Sequence, residues 1–101
     1  MRISAQQRLD VCAELRRRFG EQCRIWLFGS RADDEKRGGD VDLYVEAAVD
    51  PGGGRAMTRI RANVALEKFF HGASVDLMVR FPGESEQPLH RIAKRQGALL
   101  Q

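Results

Sequence analysis

Asp40 and Asp42 stand two residues apart in the run Asp40-Val41-Asp42-Leu43-Tyr44-Val45, and Asp76 lies inside a second apolar run, Ser74-Val75-Asp76-Leu77-Met78-Val79-Arg80. In an extended strand residues i and i+2 point to the same face, so the paired carboxylates project side by side with their Cα atoms about 6.5 Å apart. Two such anions repel, and where they are partly enclosed either one is protonated or a cation is bound. Three Asp with no His or Cys form a hard oxygen donor set that suits Mg2+ or Mn2+ rather than zinc. A third carboxylate from a neighbouring strand extends the set to two metal ions roughly 3.5–4 Å apart, bridged by one of the paired Asp. That arrangement stabilises both the attacking and the leaving oxygen of an in-line phosphoryl displacement.

Such chemistry also needs an anchor for phosphate. Gly29-Ser30 follows the apolar run Arg24-Ile25-Trp26-Leu27-Phe28 at what reads as a strand-to-helix turn. Gly lets the backbone approach a ligand closely, and the N–H groups at a helix start attract anions together with the Ser30 hydroxyl. Arg31 is a further candidate contact. Each feature alone is ordinary: Gly-Ser caps helices, Asp-x-Asp is the wet face of many strands, and an Asp in an apolar run often marks an edge. Their order and separation together point to phosphoryl transfer.

The elements that must position these residues follow from periodicity. Residues 4 to 19 carry Leu9, Cys12, Leu15 and Phe19 at helical spacing, with Ser4 as N-cap and Gly20 just past the end. The run 24 to 28 is short and nearly continuous in apolar residues, which predicts a strand buried on both faces. From Arg31 to Arg37 the acids Asp33, Asp34 and Glu35 precede Lys36 and Arg37, the order that complements a helix dipole, and one or two turns are expected. A second strand begins at the paired Asp, and Asp50-Pro51-Gly52-Gly53-Gly54 is a connector. A helix over about 56 to 71 carries one apolar stripe of Met57, Ile60 and Val64 and another of Leu66, Phe69 and Phe70, of which one faces the sheet and the other a partner. A third strand around Asp76 is closed by Pro82-Gly83. Residues 86 to 96 read as a helix with Gly97 as its C′ residue, and Ala98-Leu99-Leu100 as a short terminal strand or a frayed end.

A length of 101 residues and 11.4 kDa fits one compact unit without a separate substrate domain. Hydrophobic residues at 43% and charged residues at 31% place it in the ordinary globular range, which argues against disorder and membrane spans. Seventeen Lys and Arg against fourteen Asp and Glu give +3, a mild excess suited to polyphosphate. The positive charge is dispersed, and aromatics do not alternate with Arg on any strand as a base-stacking platform requires, so nucleic acid is not expected as a direct substrate. Cys12 and Cys23 have no CxxC spacing and no neighbouring His, so they are expected as buried thiols. Arg2, Arg8, Asp10 and Glu14 interrupt any apolar signal stretch, which leads to a cytoplasmic expectation.

Trp26-Leu27-Phe28-Gly29-Ser30, nine residues, Asp40-Val41-Asp42-Leu43 and then Val75-Asp76-Leu77 resemble the pattern of the minimal nucleotidyltransferases of the DNA polymerase β superfamily. The resemblance spans most of the chain and extends, less specifically, to the ending Ile92-Ala93-Lys94-Arg95-Gln96-Gly97-Ala98-Leu99-Leu100. It implies an α/β fold, a small mixed sheet of three to four strands flanked by helices in αβαβαβα order, with residues 1–101 as a single minimal nucleotidyltransferase domain. Asp40 and Asp42 would hold two Mg2+ ions, for which Mn2+ could substitute. Asp76 would bind the catalytic ion and help the acceptor hydroxyl lose its proton, and Gly29 with Ser30 would hold the triphosphate. The chain departs from the family at Asp33-Asp34, where many members have Arg-Gly, and at Gly39, where Ser is common.

The reaction so implied is nucleotidyl transfer from an NTP, with pyrophosphate leaving. Many single-domain relatives are encoded beside a HEPN-domain toxin, so the resemblance implies an antitoxin that adds AMP from ATP to a tyrosine of that partner. The alternative from another class is a non-catalytic module that neutralises its partner by contact through the stripe around Leu66, Phe69 and Phe70.

Overall fold

A computed structural model of the chain describes residues 2–32 and 39–101, with only the backbone of Ser30 and Ala32. Of the helix expected from Arg31 to Arg37, residues 33–37 lie outside the described residues, and Arg31 and Ala32 belong to a 3-10 turn. Helix α1 (Ala5–Phe19) starts at a reciprocal cap: the Ser4 hydroxyl accepts the Gln7 N–H at 3.0 Å, and the Gln7 side-chain Oε1 accepts the Ser4 N–H at 2.8 Å. Gly20 ends it with φ 99°, its N–H bonded to the Arg16 carbonyl at 2.9 Å. The buried face consists of Val11, Cys12, Leu15 and Phe19, whereas Leu9 is 64% exposed. One apolar residue of the expected stripe therefore belongs to the surface, and Val11 takes its place.

Strand β1 (Arg24–Phe28) leads into a 3-10 turn (Gly29–Ala32), followed by β2 (Val41–Glu46), α2 (Arg55–Glu67) with a 3-10 extension (Lys68–Phe70), β3 (Val75–Arg80), α3 (Pro88–Gln96) and β4 (Ala98–Leu99). The sheet runs in the order β3-β2-β1-β4, with β1 antiparallel to both β2 and β4 and with β3 parallel to β2. A parallel pair needs a long crossover, which α2 supplies. The terminal residues form a paired strand rather than a frayed end.

The two faces of the sheet differ. Ile25, Leu27, Val41, Leu43, Val45, Val75 and Leu77 point into the core formed with α1, Ala62 and Leu66 of α2, Phe70 and Phe81. On the opposite face β1 presents Trp26 and Phe28, both half-buried, so β1 is not buried on both faces as its apolar run suggested. Helix α3 covers only part of this second face. Tyr44 is fully buried beneath it, stacked between Trp26 at 5.4 Å and His90 at 4.9 Å between ring centroids.

Helix α2 reverses the expected division of its stripes. Leu66 and Phe70 are in the core and Phe69 packs against it, while Met57, Ile60 and Val64 are 50%, 45% and 56% exposed. Gly97 ends α3 in extended conformation, with φ −89°. A Cβ there would lie 2.4 Å from the Ala93 carbonyl oxygen and 2.8 Å from that of Leu27, so close approach of α3 to β1, not a left-handed turn, requires the glycine. Cys12 and Cys23 are buried thiols, and burial pushes the Cys23 thiol up to about 11. Among the described residues no helix is long and apolar enough to cross a membrane.

His90 gives the fold a pH dependence. Its Nδ1 accepts the Gln87 N–H at 3.0 Å, which requires a lone pair, and burial, then Arg80, lowers its pKa from the usual 6.5. A depressed histidine favours the folded state while both states are neutral. We expect stability to the His90 imidazole to be intact above pH 6.5 and to fall as the pH drops below it, because the unfolded chain takes up the proton first. Urea titrations of the protein and of His90→Phe between pH 5 and 8 should show the slope in the former and its loss in the latter.

Candidate functional site

The register of the sheet brings the carboxylates together. Asp42 is the Cα partner of Asp76 across the parallel β2–β3 pair, and of Phe28 across the antiparallel β1–β2 pair. Partners in register point to one face, so Asp42 and Asp76 share the side of the sheet opposite the main core. Asp40 immediately precedes Val41 at the start of β2, two residues from Asp42, and is exposed, as is Asp76. Asp42 is half-buried. Burial raises its pKa above the ordinary carboxylate value, and the charges of Asp76 and Asp40 raise it further. Asp42 therefore feels both other carboxylates across the space they share.

Further along the same face the fold treats a carboxylate quite differently. Glu46 accepts a hydrogen bond from the Tyr44 hydroxyl at 2.9 Å and pairs with Lys94 at 3.1 Å and Arg80 at 3.4 Å. Lys94 also pairs with Glu86 at 2.8 Å. Among the described residues no hydrogen bond or ion pair engages the side chain of Asp40, Asp42 or Asp76. Nor are any three His, Cys, Asp or Glu among the described residues already gathered closely enough to enclose an ion. The three Asp form an acidic surface, without an ion pair among the described residues, whose donor chemistry fits a hard divalent cation.

Gly29 sets the third side. It directly follows Phe28, has φ 73°, and a Cβ on it would lie 2.3 Å from Asp42 Oδ2 and 3.1 Å from Asp42 Cγ. The backbone at the start of the 3-10 turn therefore lies close against the Asp42 carboxylate, an approach that a side chain at this position would block.

Arg31 is tied into this corner. Its Nη1 and Nη2 donate to the carbonyls of Arg2 at 3.2 Å and Gly39 at 3.0 Å, and its guanidinium lies 5.7 Å from the Phe70 ring centroid. Its guanidinium thus links the 3-10 turn to the N-terminus and to the segment that delivers Asp40. Sequence reasoning missed two further groups. The Glu46 cluster was legible in part, since Asp42, Tyr44 and Glu46 alternate onto one face. Asn63, whose Oδ1 accepts the Leu77 N–H at 3.0 Å beside Asp76, carried no sequence signal.

Two solved structures share this architecture. One is a double Asp-to-Glu mutant of the toxin–antitoxin MntA-HpeT: TM-score 0.71, 20% identity, covering 93% of this chain and 72% of the other. The second is a protein from Shewanella oneidensis: TM-score 0.70, 16% identity, covering 98% of this chain and 72% of the other. No protein-family model matches the chain, and no curated protein matches it significantly. The chain has a mixed α/β fold, a four-stranded mixed sheet flanked by three helices among the described residues, and shares it with these two structures.

Proposed function

We propose that this chain is a Mg2+-dependent nucleotidyltransferase that moves AMP from ATP to a hydroxyl of a partner protein, releasing pyrophosphate, as the antitoxin of a HEPN-domain toxin. The observation that carries the reading is the in-register pair Asp42–Asp76, joined by Asp40 and lined by Gly29, with no ion pair to a cation among the described residues, while Glu46 on the same face has two. A fold shared with a toxin–antitoxin structure supports the biological half.

Asp40, Asp42 and Asp76 would hold two Mg2+ ions, or Mn2+ in their place. When bound, these ions polarise the phosphoryl oxygens and offset the charge that develops on the attacking and leaving oxygens. The Gly29 and Ser30 backbone N–H groups and the Ser30 hydroxyl would hold the triphosphate tail. Asp76, exposed at the edge of the set, would take the proton of the acceptor hydroxyl. The acceptor oxygen forms a bond to the α-phosphorus as the bond from that phosphorus to the pyrophosphate oxygen breaks. Gly29, by approaching Asp42 without a side chain, keeps the phosphate turn and the carboxylate adjacent.

A second reading, neutralisation by contact alone, is favoured by the exposed Met57, Ile60 and Val64 on α2. Its surface is this stripe rather than the buried Leu66 and Phe70. One experiment separates the two. The purified protein, a HEPN-domain partner, ATP and Mg2+ should give a partner heavier by one adenylyl group in intact-mass spectra, and Val64→Glu should leave that gain unchanged. No mass gain, with neutralisation that survives Asp76→Asn and is lost in Val64→Glu, would establish contact as the mechanism.

A further inference from the structure

Strand β3, which carries Asp76, is at the edge of the sheet, with β2 on one side and, among the described residues, no strand on the other. Edge strands leave a row of N–H and C=O groups without ladder partners and are the parts of a sheet that shift most easily. Here α2 reaches over that edge at one residue. Asn63 Oδ1 accepts the Leu77 N–H at 3.0 Å, and Asn63 Nδ2 donates to Glu67 Oε1 at 3.2 Å, one helical turn on. The two bonds fix the orientation of the amide: its oxygen must face the Leu77 N–H, and its nitrogen the carboxylate. The Leu77 nitrogen belongs to the peptide unit that begins at the Asp76 Cα. Asn63 thus grips the backbone immediately beside the carboxylate that must meet Asp42 across β2.

We propose that Asn63 is a positioning residue for Asp76, holding the outer edge of β3 so that the Asp76 carboxylate stays in register with Asp42 for metal binding. This deepens the nucleotidyltransferase reading and rests on it. Outer partners that orient metal ligands commonly change metal affinity or activity by about 10- to 100-fold when removed. Asn63→Leu keeps the shape of the side chain and loses the acceptor, whereas Asn63→Asp combined with Glu67→Gln keeps the acceptor and lets the introduced glutamine amide donate to the introduced carboxylate in place of the bond between Asn63 and Glu67.

Three readouts are taken on the full chain: exchange of the Leu77 amide hydrogen in the metal-free protein, Mn2+ binding in the absence of nucleotide, and transfer kinetics. In Asn63→Leu the Leu77 amide should exchange at least tenfold faster, Mn2+ should bind about tenfold more weakly, and kcat should fall about 10- to 100-fold with KM for ATP nearly unchanged. The double variant Asn63→Asp, Glu67→Gln should stay within about threefold of the parent on all three. If Asn63→Leu does not fold, Asn63→Ser, which is too short to reach Leu77, takes its place with the same expectations. Mn2+ binding and kcat unaltered by loss of the acceptor would overturn the proposal, as would a double variant as impaired as Asn63→Leu. Metal binding by the parent without any transfer would refute the transfer reaction and leave the role of Asn63 standing. No metal binding by the parent would overturn both.

Discussion

Asp42→Asn is expected to reduce nucleotidyl transfer by about three orders of magnitude while making the metal-free protein more stable. The catalytic loss follows from removing the carboxylate that lies between the other two, since the transition-state charge stabilisation such a site supplies is several kcal/mol and each 1.36 kcal/mol is about tenfold in rate. The gain in stability follows from the raised pKa. Asp42 is half-buried against Asp76 and Asp40, so ionising it costs more in the folded chain than in the unfolded one. Its contribution to stability is full below the unfolded carboxylate value, about pH 4, and is lost as the pH rises through the higher folded value. Near neutrality the metal-free protein therefore bears an unrelieved repulsion, which Asn removes. Thermal melts at pH 7 without metal should show Tm rising by a few degrees in Asp42→Asn. Added Mg2+ should raise Tm of the parent and leave the variant nearly unmoved. A variant that melts lower, with the response to Mg2+ intact, would contradict the account.

The next largest effect is expected at Gly29. Alanine there must adopt φ 73° and place its Cβ 2.3 Å from Asp42 Oδ2, so the backbone, the carboxylate or both must move. Holding a residue with a side chain in a left-handed conformation costs about 1–3 kcal/mol, and a displacement of about 1 Å at a reacting group can cost about a hundredfold in rate. Gly29→Ala should lower the denaturant midpoint accordingly and reduce transfer by about two orders of magnitude, with metal binding weakened as Asp42 is displaced. Gly39→Ala is the control. Among the described residues nothing lies within 4 Å of where a Cβ would go, and the position is outside the left-handed region, so its variant should match the parent in both assays.

Much of this site can be read from residue types and spacing, because the relevant period is local. A strand places Asp40 beside Asp42, a Gly-Ser turn follows an apolar strand, and an Asp inside a later apolar run marks a third strand. What spacing cannot supply is register. Asp42 meets Asp76 because β3 returns parallel to β2 through α2, and a slip of one residue would put the two carboxylates on opposite faces. The same limit explains the exchange of faces on α2. Both apolar stripes fit a helical period, and the choice between them falls to the 3-10 extension, which carries Phe70 into the core, and to Leu66, which packs beneath the sheet. Leu9 misled for a related reason, since a single exposed leucine beside a buried valine obeys the same spacing. The grip of Asn63 on Leu77 joins residues fourteen apart in sequence and depends on how α2 lies along an edge strand, which no local pattern encodes.

Asp40, Asp42 and Asp76 are expected to hold divalent ions together, beside a triphosphate anchored at Gly29-Ser30. A crystal structure of the protein with Mn2+ and a non-hydrolysable ATP analogue, with the anomalous signal of manganese recorded, would show whether they do. Manganese peaks are expected within coordination distance of all three carboxylates, with the phosphates against the N–H groups of Gly29 and Ser30. Manganese that bypasses Asp42 and Asp76, or a triphosphate bound away from the Gly29 turn, would rule this arrangement out.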